Sequence, residues 1–144
     1  MALSPFKGSI PTDRLYYPEH DMWVQKNDAE VLIGATSFGL FLAGEVIAFT
    51  AKPNGAEIGR DRGMGTIECR KTVLAVHAPV SFRLTAGNEA AEERTALINA
   101  DPYGAGWMAR GVPLSWELEK DSLCDASSYR QHILAIEPEA CFDD

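Results

Sequence analysis

The chain has 144 residues, enough for one domain with a buried core. Its hydrophobic fraction of 46% and charged fraction of 24% are those of a globular protein. The net charge of −8 argues against nucleic acid, whose phosphates need clustered Lys and Arg, and suits partners with basic docking faces.

Residues 1–10 lack a charged segment followed by an apolar core, so they do not read as a secretory signal. Residues 1–13, with Pro5, Gly8 and Pro11, read as a loose N-terminal arm. Beyond Arg14 the pattern predicts strands over residues 23–25, 29–33, 45–50, 65–69, 73–78 and 81–86. Turn residues separate them at Asn27-Asp28, Pro53-Asn54-Gly55, Gly63 and Gly87-Asn88. The longest apolar stretch, residues 38–49, is interrupted by Gly44 and Glu45 and is too short to span a bilayer. Thr36 is placed to cap a short helix that stops at Gly44. Residues 89–99 read as a second helix opening on acidic residues, and Asp125 as the N-cap of a last one. In that last helix Tyr129 and Ile133, four apart, face the body. Residues 137–144 form a tail. Many short strands with helices around them predict a mostly β protein, a barrel or sandwich with peripheral helices.

Chemistry-bearing residues are few. Cys69, Cys124 and Cys141 are odd in number and widely spaced, which fits neither a disulfide framework nor a C-x-x-C metal pattern and suits a reducing cytoplasm. His20, His77 and His132 lack paired ligand spacing, so no metal site is expected. Gly59-Arg60-Asp61-Arg62-Gly63-Met64-Gly65 lacks the ending of a phosphate loop and reads as a mobile hairpin. No Ser-His-Asp set or cofactor fingerprint supports an enzyme. Of the five lysines, Lys71 stands out, because it falls between two β-like runs and so at the tip of a hairpin. A projecting, solvated lysine on a rigid support is what a modifying enzyme needs, although such a lysine also serves merely to solvate a turn.

Four stretches carry a resemblance. They are Tyr17-Pro18-Glu19-His20-Asp21-Met22-Trp23-Val24, Gly34-Ala35-Thr36 with Gly44-Glu45-Val46, Ile67-Glu68-Cys69-Arg70-Lys71-Thr72 with Ala78-Pro79-Val80-Ser81, and Asn99-Ala100-Asp101-Pro102-Tyr103-Gly104-Ala105-Gly106-Trp107. Leu123-Cys124-Asp125-Ala126-Ser127-Ser128-Tyr129 extends it. Over about residues 14–133 the chain resembles the H protein of the glycine cleavage system, a lipoyl carrier. The resemblance implies a lipoyl-domain-like barrel-sandwich hybrid over residues 14–136, no catalytic machinery, and lipoate amide-linked to Lys71. Glu68, Cys69, Arg70 and Thr72 flank that lysine and become candidate arm or recognition residues. Trp23 and Trp107 are expected to pack inward, and Asp101-Pro102-Tyr103-Gly104 to form a type I turn.

The departures cluster around the arm. Cys69-Arg70 stands where the family usually has Ser-Val, Thr72 replaces Ala, Phe82 replaces Gly and His77 replaces Tyr. They lean toward the H-like lipoate-binding proteins of cytoplasmic sulfur oxidation, which serve a heterodisulfide-reductase-like complex. The alternative is glycine cleavage itself, carrying the aminomethyl group between glycine decarboxylase and aminomethyltransferase. Either reading implies a lipoate-attaching ligase or transferase and dihydrolipoyl dehydrogenase as partners, without nucleic acid or membrane. A biotinyl carrier is disfavoured, since Arg70-Lys71-Thr72 is not its M-K-M; an unmodified binding module is the reading of another class. Alternation would put Cys69 on the face of Lys71, where Arg70 would lower the thiol pKa; an inert strand residue is the competing reading.

Overall fold

A computed structural model of the chain describes residues 4–143. The arm's first three residues and the last residue of the tail lie outside them. In order come β1 (Lys7–Gly8), β2 (Leu15–Tyr17), β3 (Met22–Asn27), β4 (Glu30–Ala35), α1 (Ser37–Ala43), β5 (Val46–Ala51), β6 (Glu57–Ile58) and β7 (Gly63–Cys69). Then follow β8 (Thr72–His77), β9 (Phe82–Gly87), α2 (Glu89–Glu93), α3 (Ala96–Ala100), β10 (Ala109–Pro113), α4 (Trp116–Glu119), a 3-10 turn (Lys120–Ser122), α5 (Ala126–Ile136) and β11 (Cys141–Phe142). The mostly β class with peripheral helices holds.

Two sheets close the main core. One has the order β2-β3-β4-β10-β9-β6 and the other β5-β7-β8. Strand alternation sends Val24, Ile33 and Leu84 of the large sheet against Phe49, Ile67 and Val76 of the small one. The opposite face of β2 and β3 sends Tyr16 and Trp23 into a second core with Phe38, Tyr129 and Ile133. Thus one sheet is covered by strands on one side and by α5 and Phe38 of α1 on the other, while Leu40 of α1 joins the main core.

Local signals fixed the helix starts. The Thr36 hydroxyl accepts from Gly39 N–H at 3.0 Å, and Gly44, at φ 92°, ends α1 with its N–H on Leu40 C=O at 2.8 Å. The Asp125 carboxylate accepts from Ser128 N–H at 2.8 Å, and Tyr129 and Ile133 are both fully buried. The single helix expected over residues 89–99 is instead two, broken at Arg94 (φ −129°, ψ 78°). The reason is reach. Glu92 accepts from Ala51 N–H at 2.9 Å and Asn99 from Val46 N–H at 2.8 Å, so the pair must serve both ends of β5. Those ends lie about 16 Å apart at the strand rise, whereas one straight helix would separate Glu92 and Asn99 by only about 10 Å.

The arm is not loose, and the tail does not hang free. β1 and β11 pair in parallel, and Phe6 and Ile10 are buried, at 2% and 0% exposure. Nor is the 59–65 segment a free hairpin: Asp61 N–H donates to Ala78 C=O at 2.9 Å and Ala78 N–H to Arg62 C=O at 2.8 Å. Strands β2 and β10 were not expected. β2 is too short to show a period, and β10 carries Gly111, where a Cβ would sit 2.4 Å from Arg83 C=O. A turn closes at Asp101, with Gly104 N–H on Asp101 C=O at 3.2 Å. Trp23 is fully buried, while Trp107 is half-buried under the Arg110 guanidinium.

Candidate carrier site

Strands β7 and β8 pair antiparallel down to Cys69↔Thr72, which leaves Arg70-Lys71 as a two-residue turn. Neither turn residue has a positive φ. Two central groups anchor the hairpin: Ile67 on β7 and Val76 on β8 sit in the core. Beyond them every residue from Arg70 to Ala75 is exposed, so the tip stands clear of the body. The Lys71 ammonium has no carboxylate partner among the described residues. Glu68 points outward opposite Val73, Thr72 is exposed, and Arg70 Nε meets Glu45 Oε2 at 2.7 Å. Both members of that ion pair are more than half exposed, so it orients the turn and stabilises it by less than about 1 kcal/mol.

Cys69 separates from this group and corrects the expectation made for it. β7 ends at Cys69, so the turn breaks the parity that would have aligned it with Lys71. The side chain faces the core at 3% exposure, and burial pushes its thiol pKa up. Arg70 does not activate it, being drawn to Glu45 instead. Burial of this thiol favours the inert strand residue over the reactive one. A maleimide should therefore label exposed Cys141 in the native protein, with Cys69 slower by about a hundredfold or more until denaturant is added. Peptide mapping of a labelling time course measures this, and native labelling of Cys69 at a comparable rate would refute it.

Beside the hairpin lies a cavity of ≈ 100 Å³ that no sequence spacing announced. Its walls are Leu40 and Ala43 of α1, Leu74 and Val76 of β8, and the buried Met22 and Met108. At its polar side His20 and His77 stack with ring centroids 4.3 Å apart and planes 12° off parallel. His20 Nε2 lies 3.5 Å from Asp61 Oδ1, which accepts the Tyr17 hydroxyl at 2.6 Å. Desolvation, reinforced by Asp61 and Glu19, pushes the Tyr17 pKa far up, so the phenol stays a donor. The two histidines lie far apart in sequence, and only the fold brings them together.

Among the described residues Asp21 is the one carboxylate lining the cavity, and it accepts from the Tyr129 hydroxyl at 2.8 Å. Burial raises its pKa above the usual carboxylate value, outweighing the Tyr129 bond and the His132 and His20 charges that lower it. The folded state therefore holds this proton more tightly than the unfolded chain. The stabilising contribution is present below the unfolded Asp value, about 3.9, and is lost as pH rises through the higher folded value. Asp21→Asn, which tolerates the φ of 54° there, should gain on the wild type as pH rises through that window. Urea midpoints taken at several pH values between about 3.5 and 7 check it; a pH-independent difference would refute it.

A rigid β hairpin presenting one unpaired lysine, from a two-sheet core with an apolar cavity alongside, defines a carrier domain of the lipoyl type. The model of the glycine cleavage H-protein family matches residues 15–136. The chain belongs to that family. Among its relatives, glycine cleavage system H protein 5 of Aquifex aeolicus is 36% identical over 131 residues, covering 88% of each chain. The glycine cleavage system H protein of Bacillus cereus (strain AH187) is 35% identical over 123 residues, covering 85% of this chain and 95% of its own. The crystal structure of a glycine cleavage system H protein from Mycobacterium marinum superposes with a TM-score of 0.74 at 30% identity, covering 85% and 97%. The barrel-sandwich class is thereby established, as are the family's non-catalytic role and its lysine-linked lipoate. No helix among the described residues is long and apolar enough to cross a membrane.

The chain's residues fit that group. An unpaired, exposed primary amine is the chemistry amide attachment requires, and the Met- and Leu-lined cavity offers an apolar surface to a hydrocarbon arm and its sulfurs.

Proposed function

We propose that lipoate is attached to Lys71 and that this protein is a mobile carrier between partner enzymes in the cytoplasm. The observation that carries the reading is the exposed, unpaired Lys71 on a two-residue turn whose strands are rooted in the core. The attached dithiolane supplies disulfide-exchange chemistry with partner sites. The chain's own task is to present the arm, raise its effective concentration at each partner, and offer a docking face. Exposed Glu68, Arg70 and Thr72 beside Lys71 are the recognition residues for the attaching ligase or transferase in this reading.

The names of the relatives support glycine cleavage as the pathway, with glycine decarboxylase, aminomethyltransferase and dihydrolipoyl dehydrogenase as partners; this reverses the preference drawn from the sequence departures. One observation favours the second reading, sulfur oxidation with a heterodisulfide-reductase-like complex. The cavity is poor in acid: among the described residues its single carboxylate is Asp21, whose Oδ1 already accepts from the Tyr129 hydroxyl, which offers little to a cationic amine cargo.

Intact mass of the protein from its own host, with fragmentation across residues 60–85, tests the carrier reading. A lipoyl increment on Lys71 is expected. An unmodified Lys71, in cells whose other lipoyl proteins are loaded, would overturn it and leave a binding module. The loaded protein, offered to glycine decarboxylase with labelled bicarbonate, then separates the pathways: isotope exchange into glycine supports glycine cleavage, and none supports the second.

A further inference from the structure

The described residues on either side of the 15–136 matched by the family model, 4–14 and 137–143, fold together against α1. Cys141 N–H donates to Phe6 C=O at 2.9 Å and Asp143 N–H to Gly8 C=O at 3.0 Å, closing β1 onto β11. This pairing brings Phe6 against Phe38, Phe41 and Phe142, at centroid distances of 5.3, 5.4 and 6.3 Å, all edge-on. Ser37 Oγ, in the first residue of α1, donates to Ser9 C=O at 2.8 Å, and Arg130 of α5 donates to Ile10 C=O at 2.9 Å. The clip is therefore fastened to both helices of the second core.

The opposite side of α1 is the cavity wall. Phe38 and Phe41 face the clip and Ala43 faces the cavity beside β8, while Leu40 lines both that cavity and a hollow beside Phe6. Helix α1 is poorly able to hold that wall alone. It has only seven residues, well below the about 12 at which an isolated helix becomes even marginal. It also carries Gly39 in its interior, which costs about 1 kcal/mol against alanine. That glycine is required where it stands, since a Cβ would come within 2.8 Å of the Asp21 Cβ. A short helix weakened at its centre depends on what packs behind it.

We propose that the terminal clip is a positioning device for the arm's cavity, with Phe6 as its positioning residue: it braces α1 from behind so that the wall formed by Leu40 and Ala43 is preformed. The cavity's service to an arm on Lys71 rests on the carrier reading; the bracing of α1 does not. Loss of the clip loosens α1 ahead of β7–β9, because Phe6 packs in the second core with Phe38, whereas β7, β8 and β9 pack only in the main core that Leu40 also enters.

The test uses the full chain with Phe6→Ala, Phe6→Leu and, as a milder variant, Phe142→Ala. Amide hydrogen exchange is read separately for α1, for α5 and for β7–β9. Phe6→Ala is expected to speed exchange in α1 by about tenfold or more while β7–β9 keep wild-type protection, and Phe6→Leu is expected to restore it. Uniform acceleration across all elements would show a merely structural role and overturn the proposal, as would unchanged α1 exchange. Should Phe6→Ala fail to fold, Phe142→Ala decides by the same pattern. In protein whose mass shows a lipoyl group on Lys71, alkylation of the reduced arm should quicken in Phe6→Ala and recover in Phe6→Leu. Altered α1 exchange with an unmodified Lys71 would sink the carrier reading and spare the bracing; a lipoylated Lys71 with unaltered α1 exchange would do the reverse.

Discussion

Lys71→Arg should abolish carrier function completely while leaving the protein folded and as stable as the wild type to within about 0.5 kcal/mol. Arginine preserves the charge, the length and the exposure of the side chain, and among the described residues Lys71 makes no ion pair whose loss could be felt by the fold. It does not supply the primary amine that amide attachment consumes. Nor does another lysine substitute, because none of Lys7, Lys26, Lys52 and Lys120 sits on this turn. The measurement has three parts: intact mass after incubation with a lipoate ligase, a thermal melt, and complementation of a host lacking the wild-type gene. Complementation by an unlipoylated Lys71→Arg protein would end the carrier reading.

Trp23→Ala should cost about 3–5 kcal/mol, the range for emptying a large aromatic from a core. Trp23 is fully buried in the second core, its indole N–H donates to Pro102 C=O at 3.1 Å, and the Arg14 guanidinium lies 4.6 Å from the ring centroid. On the remaining side the ring lies flat on Gly34, where a Cβ would approach it to 2.6 Å. Removing the ring therefore loses packing, a hydrogen bond and a stacked cation together. It also releases the Asp101-Pro102-Tyr103-Gly104 turn, whose Tyr103 hydroxyl accepts from Ser37 N–H at 3.0 Å at the start of α1. Gly34→Ala should be destabilising by about 1–3 kcal/mol through the same contact. In the double variant the added methyl has room, so a mutant cycle should show coupling of about 1 kcal/mol or more. Additive penalties from urea unfolding would mean that the two residues do not share the contact described.

The motif around Trp23 illustrates what was legible and what was not. Tyr17 to Val24 and Asn99 to Trp107 were recognisable as separate strings, but their union through the Trp23–Pro102 hydrogen bond belongs to the fold. The two helix caps, at Thr36 and Asp125, were readable because a cap is a contact between residues three apart. The helix expected over residues 89–99 failed on a long-range demand, the two ends of β5, that composition cannot express. The arm misled for a similar reason. Pro5, Gly8 and Pro11 look like punctuation, and only the distant partner β11 turns them into a docked edge.

By itself the sequence determined the β-rich class, the helix caps, and the lysine between two strands, since each depends on side-chain period or on neighbours a few residues away. Tertiary structure alone decided that Cys69 turns inward and that His20 and His77 meet. It alone also built the cavity, from β3, α1, β8 and the segment around Met108, and closed the terminal clip behind α1. The physical reason is that these features are set by sheet pairing and face parity, and a single turn residue more or less reverses which face a strand residue presents.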